Sequence, residues 1–181
     1  MIVDMGMDII ITDHHNPKDE LPPALAIINP KLPGCAYPFG HLAGVGVAYK
    51  LLMAIYTRLG MDEPENVLKY MDLVAVGTIA DIVPLVGENR IFASIGLQHL
   101  IEKKNLGLNA LIRICGLNQK TLDTTDIVFG IAPRINAAGR MGSAAMAVEL
   151  LISTDENSSS ELAEMIERDN SLRQQEDQKT F

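Results

Sequence analysis

Tryptophan is missing from these 181 residues, and phenylalanine and tyrosine occur only four times each. A core built from this chain must come from Ile, Leu, Val, Met and Ala, as in α/β packing. The two cysteines, Cys35 and Cys115, form no Cys-x-x-Cys pattern, and a reduced, cytoplasmic compartment is the simplest reading. No apolar run approaches the roughly 20 residues of a membrane span, so no membrane partner is expected. No basic segment leads into an apolar stretch and a small-residue cleavage site, so no secretory signal is expected either. Basic charge is scarce as well: 15 Lys and Arg stand against 23 acids, a net charge of -8. Taken globally, that argues against a nucleic-acid partner. Its distribution softens the point, because eight acids and two bases fall between Asp155 and Asp177. Acidic metal ligands also add negative charge that bound cations offset. Charge alone leaves the partner open.

A chain of this length buries one substantial core, with room for one domain and an appendage. Asp4-Met5-Gly6-Met7-Asp8 reads as a helix end turning into a strand. Asp8 to Thr12 is then expected as a short, buried parallel strand. After a polar loop from Asn16 to Pro23, the apolar run Ala24 to Ile28 forms a second strand candidate, and the Pro- and Gly-rich stretch Lys31 to His41 an ordered loop. Helical spacing runs from Gly44 to Leu59 with Gly60 as its stop, and from Pro64 towards Gly77. Further helices are expected over Glu88–Lys104, Leu108–Ile114 and Ser143–Ile152. Thr124 or Thr125 should cap a short helix that Pro133 ends. From Ser158 onward, Leu162, Met165, Ile166 and Leu172 make a thin apolar stripe on a charged helix, which reads as a connector rather than a core element.

Three constellations carry candidate chemistry. Asp13-His14-His15 directly follows the apolar run Ile9-Ile10-Ile11, at a strand carboxyl end, where ligands bind in open α/β sheets. A carboxylate and imidazoles there can hold a divalent metal or meet a phosphate; they can equally be a solvated turn. Asp81 stands alone in the apolar segment Val76 to Leu85, where an unpaired buried carboxylate is expensive. A helix end, a hydrogen-bonded acid, a loop residue and a metal ligand all remain open for it. In Ala132 to Gly142, Arg134, Asn136 and Arg140 lie among small residues that let a ligand backbone come close. The density of Gly and Ala favours a phosphate-binding loop. Pairing of the arginines with surface acids, including those of the connector, stays live.

Thr12-Asp13-His14-His15, Ala43-Gly44-Val45-Gly46-Val47-Ala48, Gly77-Thr78-Ile79-Ala80-Asp81 and Pro133-Arg134-Ile135-Asn136-Ala137-Ala138-Gly139-Arg140 occur in this order and at similar spacing in the RecJ-type exonucleases. The chain thus resembles those single-strand-specific enzymes of the DHH phosphoesterase superfamily from about Gly6 to its last helix. The resemblance implies part of a parallel-sheet catalytic domain over residues 1–142, followed over 143–181 by a helical connector. It implies hydrolysis of single-stranded DNA, 5′ to 3′, in repair and recombination, with Mn²⁺ or Mg²⁺ in a two-metal site, and single-strand-binding protein among the partners. It makes His14 and Asp81 metal ligands, His15 the residue near the reacting phosphate, and Asp13 a group that orients the site. His15, Arg134, Asn136 and Arg140 then become contacts to nucleic acid. Other DHH phosphoesterases, acting on short oligonucleotides, cyclic dinucleotides or pyrophosphate, and a non-catalytic single-strand binder are the competing readings.

Two acidic motifs of that family have no counterpart here and are expected upstream of Met1. Asp4 imitates one of them, but it stands too close to Asp13 for the crossover that parallel strands need. The chain therefore reads as the middle of an enzyme, inactive alone. Cys35 reads as a packed thiol, His41 as a cap or cleft residue, and His99 as surface or core filler.

Overall fold

The computed structural model describes residues 5–102, 105–140 and 144–179. They form a mostly helical α/β chain with a small parallel sheet, divided into two compact units between Ser94 and Ile95. The first unit opens with β1 (Ile10–Thr12) and β2 (Ala26–Ile28), parallel, with Ile10 opposite Ala26 and Thr12 opposite Ile28. Residues 13–25 join them without a helix. Burial of β1 is corrected: Ile10 is 58% exposed. Among the described residues the sheet has only two strands.

Helix α1 (Gly44–Leu59) occupies the expected span and ends on Gly60 in the left-handed conformation. The helix expected from Pro64 onward is instead two, α2 (Pro64–Leu68) and α3 (Met71–Ala80). The Tyr49 hydroxyl donates to the carbonyl of Val67, which in an unbroken helix would serve the amide of Met71. The loop after β2 is tied down as expected. Tyr37 donates to Glu88 at 2.6 Å and Lys50 to the same carboxylate at 2.8 Å. Burial pushes the Glu88 carboxyl up, but the bonds from Lys50 and Tyr37 outweigh it and hold the group below its ordinary pKa. Cys35, on that loop, is exposed rather than packed, whereas His99 is buried. The division between the units falls within α4 (Gly87–Ile101).

The second unit holds α5 (Leu106–Ile114), α6 (Thr124–Asp126), α7 (Ala132–Arg140), α8 (Ala144–Ile152) and α9 (Glu156–Lys179). Asp123, not a threonine, caps α6, reciprocating with Asp126 in a capping box. Pro133 does not end the helix. A π turn over Ile127–Ile131 precedes it, and the widened turn accommodates a residue that can neither donate nor tolerate a tight preceding turn. The segment 132–140 is accordingly a helix, not a loop. Its small residues Ala137 and Ala138 are fully buried, and α7 packs closely against α9. Nor is α9 a bare connector: it packs on α5, α7 and α8. Its buried seam is Ser159, Ala163, Ile166 and Asn170, spaced four, three and four along one face. Met165 and Leu172 of the expected stripe are exposed.

The Arg134 side chain lies in this packing. Its Nε meets Glu167 of α9, and an Nη donates to the carbonyl of Gly130 at 2.8 Å. Removing one partner strands the other in a partly buried place. Arg134→Ala and Glu167→Leu are each expected to lower unfolding free energy by about 1–3 kcal/mol, read from urea midpoints. Unchanged midpoints would mean that the pair contributes nothing.

Candidate metal and phosphate site

The three residues after β1 make a tight polar turn. The amide of Asp13 continues the ladder by donating to Ile28 at 3.0 Å. Its carboxylate then turns back on its own neighbours. One oxygen accepts from the amides of His14 at 2.7 Å and His15 at 3.2 Å, and from His15 Nδ1 at 2.8 Å. The His15 side-chain bond, followed by the His15 backbone bond, lowers the Asp13 pKa to about 2. Asp13 is therefore an ion at neutral pH, and the proton it shares with His15 belongs to Nδ1. His15 Nε2 is left at the outer edge of a ring that is 76% exposed. Both residues line a cleft of about 960 Å³ that Asn16, Lys18 and Leu21 also border.

His14 points elsewhere. Its side chain is 16% exposed, and its Nδ1 lies 3.4 Å from Asp81 Oδ2, with Asp81 38% exposed. Glycines of the neighbouring helices make this possible. A Cβ at Gly44 would stand 3.2 Å from His14 Cδ2, and one at Gly77 would stand 2.8 Å from Val45 Cγ1. Gly44 thus leaves room for the imidazole, while Gly77 lets α3 close on α1. Asp81 is the residue that caps α3. A carboxylate there faces the negative end of the helix dipole, an unfavourable placement that a cation corrects. Immediately after it, Ile82 adopts φ 56°, a left-handed conformation that costs a β-branched residue about 1–3 kcal/mol. The buried Asn89 steadies the turn, donating to the carbonyls of Pro84 at 3.0 Å and His41 at 2.6 Å. For His41, then, the backbone rather than the ring is engaged there.

Donors about 2.1 Å from one ion stand about 3.0 Å apart at an octahedral edge and about 3.4 Å at a tetrahedral one. The His14–Asp81 pair has the spacing and chemistry of two ligands to a shared divalent ion. Among the described residues, no group of three His, Cys, Asp or Glu side chains closes around a metal position. Asp4 lies outside the described residues. In the second unit, Asn136 is exposed on α7, Arg134 is occupied as described, and Arg140 ends the helix with its side chain outside the described residues. Two residues that pattern reading passes over, Asn29 and Asn89, bond to the site's backbone; their signal in the sequence is only that each is an Asn beside a proline or close to a glycine.

Comparison with known proteins follows the same outline. Residues 2–78 match the DHH family, N-terminal domain, a span that includes Asp13, His14 and His15 but stops short of Asp81. The chain is 47% identical over 171 residues to the single-stranded-DNA-specific exonuclease RecJ of Bacillus subtilis (strain 168), covering 94% of this chain and 21% of that protein. It is 41% identical over 177 residues to the RecJ exonuclease of Haemophilus influenzae, covering 94% and 31%. The crystal structure of RecJ from Thermus thermophilus in complex with Mn²⁺ is similar at a TM-score of 0.81 and 37% identity, over 96% of this chain and 26% of that one. The chain therefore spans less than a third of the length of these curated relatives. Among the described residues, no helix is long and apolar enough to cross a membrane.

The geometry makes the α1–α3 contact a controlling one. Gly77→Ala is expected to destabilise the chain by about 1–3 kcal/mol, the usual range for overpacking, because the added methyl meets Val45. Val45→Ala should recover most of that loss in the double variant, measured by chemical denaturation. Additive losses would place the cost elsewhere.

Proposed function

We propose that the chain, similar over nearly its whole length to RecJ exonucleases, belongs to the RecJ-type branch of the DHH family and supplies part of the catalytic site of a metal-dependent hydrolase of single-stranded DNA. The reaction is phosphodiester hydrolysis, working 5′ to 3′, in DNA repair and recombination in the cytoplasm, with single-strand-binding protein as a partner. The pairing of His14 with Asp81, brought to 3.4 Å although far apart in sequence, carries this reading. Both would hold one ion of a two-metal arrangement. When bound, Mn²⁺ or Mg²⁺ would supply Lewis-acid chemistry towards water and the phosphate. The chain's own residues divide the remaining tasks. Asp13 holds the turn and fixes the His15 tautomer, and His15 Nε2 faces the phosphate for proton transfer or charge stabilisation. Asn136 and Arg140 meet backbone phosphates, while Arg134 supports the helix that carries them. Residues 1–142 and 143–181 act as catalytic and connecting segments.

In the natural polypeptide that carries these residues, His14→Ala and Asp81→Ala are expected to lower both Mn²⁺ affinity and turnover of single-stranded oligonucleotides. His15→Ala should slow turnover by about 10²–10⁴, the scale for losing an acid–base group, with Mn²⁺ still bound in calorimetric titration. If His15→Ala abolishes metal binding and His14→Ala does not, the two roles are reversed.

Arg140→Ala should weaken binding of all sequences alike. It should reduce the slope of log affinity against log salt by about 0.7, one single-strand phosphate contact. An unaltered slope with a lowered melting temperature would remove Arg140 from the interface.

A further inference from the structure

We propose that Asn29 is a positioning residue for His15, an inference that rests on the role given to His15 above. The last backbone rung between the strands is the bond from the Asp13 amide to Ile28. Beyond it His15 is held by Asp13, two residues away on the same turn, a partner that moves with it. Asn29, the residue following β2, adds a rung from outside. Its Nδ2 donates to the carbonyl of His15 at 2.9 Å, and its Oδ1 accepts from the amide of Lys31 at 2.9 Å. At 4% exposure, this amide is fixed, because a buried amide that leaves its bonds unmade is costly. A donor and an acceptor on one short planar group are what this place requires. Aspartate keeps the acceptor and loses the donor, leucine loses both, and glutamine is longer by a methylene. The consequence reaches the reaction through geometry: His15 is otherwise exposed, and the direction of its Nε2 depends on where its backbone is anchored.

Asn29→Asp separates the two bonds, since it retains the turn to Lys31 and sets a carboxylate oxygen against the His15 carbonyl. In the natural polypeptide, with Mn²⁺ and a single-stranded oligonucleotide, kcat is expected to fall by about 10²-fold, the scale of a 1 Å misplacement. KM and Mn²⁺ affinity by calorimetry should stay close to those of the parent, while the melting temperature falls, because a carboxylate buried against a carbonyl oxygen is costly. On a His15→Ala background the same change should cost little more, because residues acting as one unit are not additive. In the 181-residue chain without metal, the His15 ring proton resonances should shift or broaden in Asn29→Asp while those of His99 hold. An undiminished kcat, a full additional loss on the His15→Ala background, or a fall in metal affinity that accounts for the rate would each overturn the proposal. A His15→Ala variant that keeps the parent rate would instead overturn the reading of the site itself, and this role with it.

Discussion

The close approach of α1 to α3 is the constraint on which the site depends. His14 and Asp81 are separated by most of the first unit in sequence, and neither local propensity nor strand pairing alone can join them. What joins them is a run of consecutive residues at the start of α1. Gly44 leaves space for the imidazole, and Val45 seats against Gly77. One helical turn beyond Gly77, α3 stops and presents Asp81. The packing of two helices thus becomes the placement of two donor atoms. Because interiors are close-packed and relax only partly, a misfit at Gly77 has to appear as displacement further along.

The end of α3 has two unfavourable features. An acid sits at the negative end of a helix, and a β-branched residue follows in a left-handed conformation. Such costs persist where surrounding structure over-determines them, and Asn89 contributes that determination with two carbonyl contacts from a fully buried amide. At the end of β1, Asp13 has the opposite character. Its carboxylate is heavily bonded to its own turn and stays ionised well into acid. The two aspartates are therefore distinguished by their surroundings: Asp13 is committed to its own turn, whereas Asp81 meets the His14 ring at the end of α3.

Much of this was legible in the sequence, and what was not has a common cause. Gly44–Leu59 could be read because its apolar residues repeat at helical spacing and a glycine follows. Asp13-His14-His15 could be read because chemistry-bearing residues directly follow an apolar run. The break between α2 and α3 was hidden, since it depends on a hydroxyl from Tyr49 in another helix. Pro133 misled for a related reason: a π turn, set by the packing around it, removes the conflict that normally ends a helix. In α9 the buried seam includes Ser159 and Asn170, which an apolar pattern cannot count. Ser159 satisfies its hydroxyl on Asp155 and Ser153, so it is buried without penalty. The small residues of 132–140 pointed to close approach correctly in kind, but what approaches Ala137 and Ala138 is a neighbouring helix of the same unit.

The two adjacent histidines show how local backbone geometry can give identical side chains different surroundings. Their rings are 4.3 Å apart between centroids, yet one is nearly enclosed beside α1 and the other stands in the open. Rings in contact cannot lie on opposite sides of an extended chain, so the backbone has already left the alternation of β1 when it reaches His14 and His15. The turn that separates them is tied to the end of β2 on both sides of His14, by the bond from the Asp13 amide to Ile28 and by that from the Asn29 amide to the His15 carbonyl.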